Sequence, residues 1–176
     1  MFCKNILLDW HENFILQNKI IIMKTSQETI EILNDLIQIN NDRIRGYERA
    51  IEELKDDNDD LKTMFAVFID QSRQNIMALG KEVQTYGADM ATGTTGSGKI
   101  YRAWMDVKAL FTGHDRQTVL ENCEFGEDAA LKAYHTAMKK EELPEYLKQM
   151  LVQQHELLMK SHNQVKALRD QHVAQH

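Results

Sequence analysis

Between Ile30 and Leu54 an inward-facing residue returns every third or fourth position: Ile30, Leu33, Ile37, Ile44, Tyr47, Ile51 and Leu54, with Asn40 the polar exception. Side chains at that spacing share one face of an α-helix and would scatter over both faces of a strand, so this stretch is committed to a long helix. Thr25-x-x-Glu28 supplies a capping box at its expected start. "KDDNDD" (55–60) ends it and opens the next helix, because Asp and Asn favour turns and N-caps and acids suit a helix N-terminus. The second helix turns Leu61, Phe65, Phe68, Ile76, Leu79 and Val83 inward, interrupted by Ser72. A third, after Gly113, aligns Leu120, Cys123, Glu127, Ala130, Tyr134 and Ala137. The last carries Leu147, Leu151, Leu158, Val165 and Leu168, beside Gln154, Ser161 and His162.

Short turns join the first helix to the second and, through "KKEELPEY", the third to the fourth, so each pair is an antiparallel hairpin. Setting Tyr47 against Tyr134 matches Ala50 with Ala137 and Asn40 with Glu127, a weak repeat of helix pairs. The middle connection, Gly87 to Gly113, is much longer and contains an amphipathic stretch with Ile100, Trp104, Val107 and Phe111 in one stripe. A helix of ~27 residues spans ~40 Å, and a connection of this length can return along it. The expected fold is therefore all-α: a ferritin-like up-down four-helix bundle of two helical hairpins with one long crossover containing a short helix.

"GTTGSGKI" (93–100) has the glycine spacing of a phosphate-cradling loop, but Ile100 stands where a magnesium-binding hydroxyl belongs. The preceding "KEVQTYGADMAT" reads as a fraying helix end instead of a strand, and the acid of "MFAVFID", Asp70, continues a helical stripe. The segment is expected to be a glycine-rich hinge without nucleotide chemistry.

The chain has 176 residues, 43% hydrophobic and 27% charged, with a formal charge of −6. That balance suits one globular domain and supplies no basic stripe, which argues against nucleic-acid and anionic-membrane binding. No apolar run approaches the ~18 residues of a membrane span. Two cysteines form no disulfide framework and point to a reducing, cytoplasmic compartment; Cys123, within a core stripe, should be inert. Asp9, His11 and Glu12 interrupt the apolar start, and no small-x-small cleavage site follows. Residues 1–24 are read as an extension outside the native domain, with Met23 the expected first residue, and 25–176 as the bundle. The alternative is an arm packed on the domain or on a partner.

Bundles of this topology often hold two metals between a single Glu on each of two helices and a Glu-x-x-His on each of the other two. Glu127 sits where one single Glu belongs, and its repeat partner is Asn40. The nearest motif matches are Asp70-x-x-Arg73 and Met159-x-x-His162. Glu127 and His162 are the residual metal-ligand candidates, for iron or manganese. The competing reading makes Asn40, Ser72, Glu127 and His162 a buried hydrogen-bonded layer that fixes helix register. No cofactor is expected on that reading. His155, His172 and His176 are weaker ligands, Glu48, Glu52 and Glu53 read as a charged outer face, and Tyr47 and Tyr134 as packing residues with hydroxyls at a polar edge.

"TIEILNDLIQINNDRIRGYERAIEEL", "YRAWMDVKALFTG", "LENCEFGEDAALKAYHTAM" and "HNQVKALRDQH" resemble an uncharacterised bacterial family of ferritin-like four-helix-bundle proteins, a domain of unknown function. The likeness runs from Thr25 to His172 and includes Asn40, Asp42, Arg43, Tyr47, Glu48, Glu127, Asp128 and Tyr134. It implies the bundle, a bacterial cytosolic setting, and a stress-related or structural role, and it carries no settled reaction. Two functions follow: a non-enzymatic, self-associating bundle that binds or supports another protein, or a metal-carboxylate protein that binds or oxidises iron.

Overall fold

The computed structural model describes residues 3–54, 58–93 and 115–173. All regular structure among them is α-helical: α1 (Cys3–Glu53), α2 (Asp59–Thr85), α3 (Arg116–Met138) and α4 (Glu145–Val173). Each hairpin packs along its length, α1 lies beside α3, and α2 meets α4 least. The four-helix, two-hairpin architecture expected from the apolar periodicity is the one observed. The short helix expected in the crossover, and most of the glycine-rich stretch, lie outside the described residues. What leads into that stretch is the α2 helix, not a strand.

The start of the first helix differs from expectation. Thr25-x-x-Glu28 lies within α1, which runs unbroken for 51 residues, ~76 Å. Ser26 Oγ donates back to the Ile22 carbonyl at 2.9 Å, and Lys24 reaches Glu28 at 3.9 Å, both contacts of a continuing helix. A capping signal is local, and it yields when the residues before it are themselves helical.

The other helix ends follow local chemistry. Asp115 caps α3, its carboxylate accepting from the Thr118 amide at 2.9 Å and the Thr118 hydroxyl at 2.7 Å. At the end of α2, Gly87 adopts φ +76° while its amide bonds Gln84 and that of Ala88 bonds Val83, a Schellman arrangement that favours glycine at this position. Asn34 of α1 then holds the departing chain, accepting from the Ala91 amide at 2.8 Å. Arg116 grips Asp60 at 2.7 and 3.1 Å, tying the start of α3 to that of α2.

The interior divides in two. One apolar cluster gathers Leu33, Leu36, Ile37, Leu79, Val83, Ala130, Leu147 and Leu151; the other gathers Ala50, Leu61, Phe65, Phe68, Val119, Leu120 and Val165. Along α1, α2 and α3 the residues between these clusters, Asn40, Arg43, Ser72, Asn75 and Glu127, are polar and buried, as are Gln154 and Ser161 of α4. Burying these groups is tolerable only if their hydrogen bonds are made within the protein.

Candidate functional site: a buried polar layer

Arg43 is the centre of the layer, with a side chain 2% exposed, and it was not among the site candidates read from sequence. Its Nε and Nη2 donate to Glu127 Oε1 at 2.9 and 2.6 Å, and Nη1 donates to the Phe68 carbonyl at 2.9 Å and to Ser72 Oγ at 2.7 Å. The Tyr47 hydroxyl donates to the same Glu127 oxygen. The guanidinium carbon lies 5.2 Å from the Tyr47 ring centroid and 5.6 Å from that of Phe68, within cation–π range. Burial lowers the proton affinity of Arg43, but the neighbouring Glu127 and Tyr47 outweigh it, and the net shift is upward. Burial, then Glu127, pushes the Tyr47 hydroxyl well above its usual range. The guanidinium is charged and the phenol neutral.

A second network crosses all four helices. Asn75 Nδ2 donates to Asn40 Oδ1 at 3.2 Å, Asn40 Nδ2 to the Tyr134 hydroxyl at 2.8 Å, and that hydroxyl to Gln154 Oε1 at 2.9 Å. Asn40 also donates to the Leu36 carbonyl at 2.8 Å. The repeat read from sequence is thus reciprocal in space. Tyr47 of α1 reaches Glu127 of α3, and Tyr134 of α3 bonds Asn40 of α1. Both hydroxyls are buried links of the layer, not groups at its polar edge.

Asn40, Ser72 and Glu127 lie in the layer; His162 does not. Its Nε2 is 2.9 Å from Asp128 Oδ1 and 4.0 Å from Glu124 Oε1, at the α3–α4 seam, and its Nδ1 is 3.2 Å from Asn163 Oδ1. Arg169 pairs with Glu124 beside it. Glu127 and Asp128 are neighbours on α3 and point ~100° apart, so the helix that turns Glu127 inward turns the partner of His162 outward. The two metal-ligand candidates are not brought together. Burial lowers the pKa of His155, with help from nearby His135, and the His172–His176 pair reaches outside the described residues. Glu53 departs from the expected charged outer face: its carboxylate is largely buried and held by Arg49 at 2.7 Å.

The helix faces also correct the two motif matches. Asp70 and Arg73 are exposed, engaged by Gln74 at 2.7 Å and Glu48 at 3.6 Å respectively, and Ser72-x-x-Asn75 occupies the inward face of α2. On α4, Met159 is exposed and the inward pair is Leu158-x-x-Ser161. Six positions therefore match the two-metal pattern by face and spacing: Asn40, Ser72, Asn75, Glu127, Leu158 and Ser161. Glu127 alone offers a carboxylate. One of its oxygens takes three donors, and the other, Oε2, is buried with no hydrogen-bond partner. Amides, hydroxyls and one leucine beside a guanidinium do not fit a two-metal centre. Among the described residues, no group of three His, Cys, Asp or Glu is gathered so as to hold a metal ion.

Cys123, one turn from Glu127, is a buried free thiol whose pKa is raised by burial and then by Glu127. It has no nucleophilic character in this setting. No helix is long and apolar enough to cross a membrane among the described residues.

A solved structure described as ferritin-like, diiron-carboxylate proteins from Bacillus anthracis str. Ames superposes with a TM-score of 0.60 at 18% identity, covering 82% of this chain and 94% of that one. At that identity the likeness establishes the ferritin-like fold alone. None of the curated proteins compared with the chain matches it. The sequence matches a family profile over residues 28–140, a span containing all of the layer contributed by α1, α2 and α3, and the chain belongs to the family described as Domain of unknown function (DUF2383).

Proposed function

We propose that this protein is a non-enzymatic four-helix bundle with a binding or structural role, in which the polar layer fixes the register of the helices. The observation that carries the reading is the Arg43–Glu127 pair: the one carboxylate of the layer is already neutralised by a side chain of the chain itself. A buried network centred on an internal ion pair favours one packing arrangement of the helices. Work is then done by the outer surface, and a second copy of the chain is the expected partner; Ile15, Leu16, Ile20, Ile22 and Met23 expose apolar surface on α1, which supports the alternative reading of this segment as an arm that packs on a partner. A bacterial, cytoplasmic setting suits the free Cys123 thiol and the bacterial source of the similar structure.

The competing role, binding or oxidising iron, draws on the diiron-carboxylate description of that similar structure, and the donor set of this chain opposes it. Metal analysis of untagged protein, paired with oxygen uptake on added ferrous iron, separates the two. The proposal expects metal far below one ion per chain and oxygen uptake no faster than the protein-free blank. Iron or manganese near one per chain, lost on Glu127→Ala, refutes it.

A further inference from the structure

We infer that Arg43 is the layer's resident cation, standing where the ions of a two-metal bundle stand, and that removing its side chain leaves a binding site for a guanidinium-class cation centred on Glu127. Position is the first support. Arg43 lies one turn from Asn40 on α1, and its guanidinium bonds Ser72 of α2 and Glu127 of α3, so it links two of the six pattern positions and ties three helices together. Charge is the second. Glu127 is fully buried and needs a positive partner within the interior, where charges attract more strongly than in water. Arg73 and Arg169 cannot serve, being engaged at the outside by Glu48 and Glu124.

The third support concerns which cation fits. The surroundings of the guanidinium are a carboxylate oxygen, a hydroxyl, a backbone carbonyl and two aromatic rings. That set matches a planar, weakly hydrated cation with several in-plane donors better than a compact ammonium or a hydrated divalent ion. Glu127 Oε2, buried and without a partner, leaves an acceptor for a cation free to shift within the space that Arg43 vacates. The inference rests on the proposed absence of metal from the wild-type layer, but it is read on a variant, so the two fail separately.

The test is thermal unfolding of Arg43→Ala with sub-denaturing methylguanidinium, methylammonium or manganese, alongside wild type and Arg43→Ala/Glu127→Gln. Methylguanidinium should restore at least half of the midpoint lost in Arg43→Ala. It should do nothing comparable for wild type or the double variant, and methylammonium and manganese should give little at equal concentration. If Arg43→Ala does not fold unaided, refolding from urea with and without methylguanidinium reads the same property. Equal rescue of the double variant overturns the inference, as does no rescue by methylguanidinium, or stronger rescue by manganese.

Discussion

Replacing Glu127 by Gln removes the charge opposite Arg43 while keeping the size and one carbonyl acceptor. The two side chains are 2% and 0% exposed, so water cannot take the place of the lost charge. Three donors that converge on Oε1 would face a neutral oxygen, and the buried guanidinium would be left with neutral acceptors alone: that oxygen, the Phe68 carbonyl and Ser72. Breaking a buried pair by removing one partner costs about 3–5 kcal/mol, a large part of the 5–15 kcal/mol total stability of a typical domain. For a chain of this length each kcal/mol shifts the melting midpoint by about 2–4 °C, so the expected loss is about 6–20 °C. Urea unfolding followed by circular dichroism gives the free energy directly, and an unchanged slope would place the effect in the folded state. A loss below about 1 kcal/mol would mean that Arg43 finds another partner or solvent, and the account of the layer as a closed ionic network would be wrong.

Tyr134→Phe should cost about 1–3 kcal/mol in the same assay, since it strands the Asn40 amide and the Gln154 carbonyl in a dry interior. Asp115→Ala should cost about 1 kcal/mol as a lost N-cap. Hydrogen bonds from the Thr118 side chain and amide depress the pKa of Asp115, so its contribution is present above the unfolded carboxylate pKa of ~3.9 and fades as pH falls through the lower folded value. The Asp115→Ala difference should accordingly vanish in strong acid and be full at neutral pH. Cys123 should resist thiol reagents at mildly alkaline pH in the native protein and react on unfolding, because burial raises its pKa; rapid labelling of the folded chain would contradict its placement. Asp128→Asn, at the exposed end of the His162 contact, should change stability by under about 1 kcal/mol.

The helices were legible because each carries enough apolar residues at helical spacing to fix which face is inward. The correspondence of Tyr47 with Tyr134 was legible too, as a repeat; the reciprocal contacts between α1 and α3 were not, because each hydroxyl's partner sits on the other helix. Arg43 was not, although a trace of it existed: it lies seven residues from both Leu36 and Ala50, which are buried on the same stripe. A single arginine reads as surface until its partner is known, and Glu127 is supplied by another helix. The two motif matches failed for a geometric reason. Asp70 and Met159 lie one or two positions from the inward residues, and each step along a helix turns the side chain by ~100°. Face decides which residue enters the layer, and the inward faces carry Ser72, Asn75, Leu158 and Ser161.

The run from Asn75 through Asn40 and Tyr134 to Gln154 also bears on how the molecule comes apart. Every rod holds one member of this relay, so sliding any of them by a turn, ~5.4 Å, strands a polar group in its neighbour. Peeling away one rod withdraws support from the remaining three, which disfavours a three-rod intermediate and favours cooperative melting.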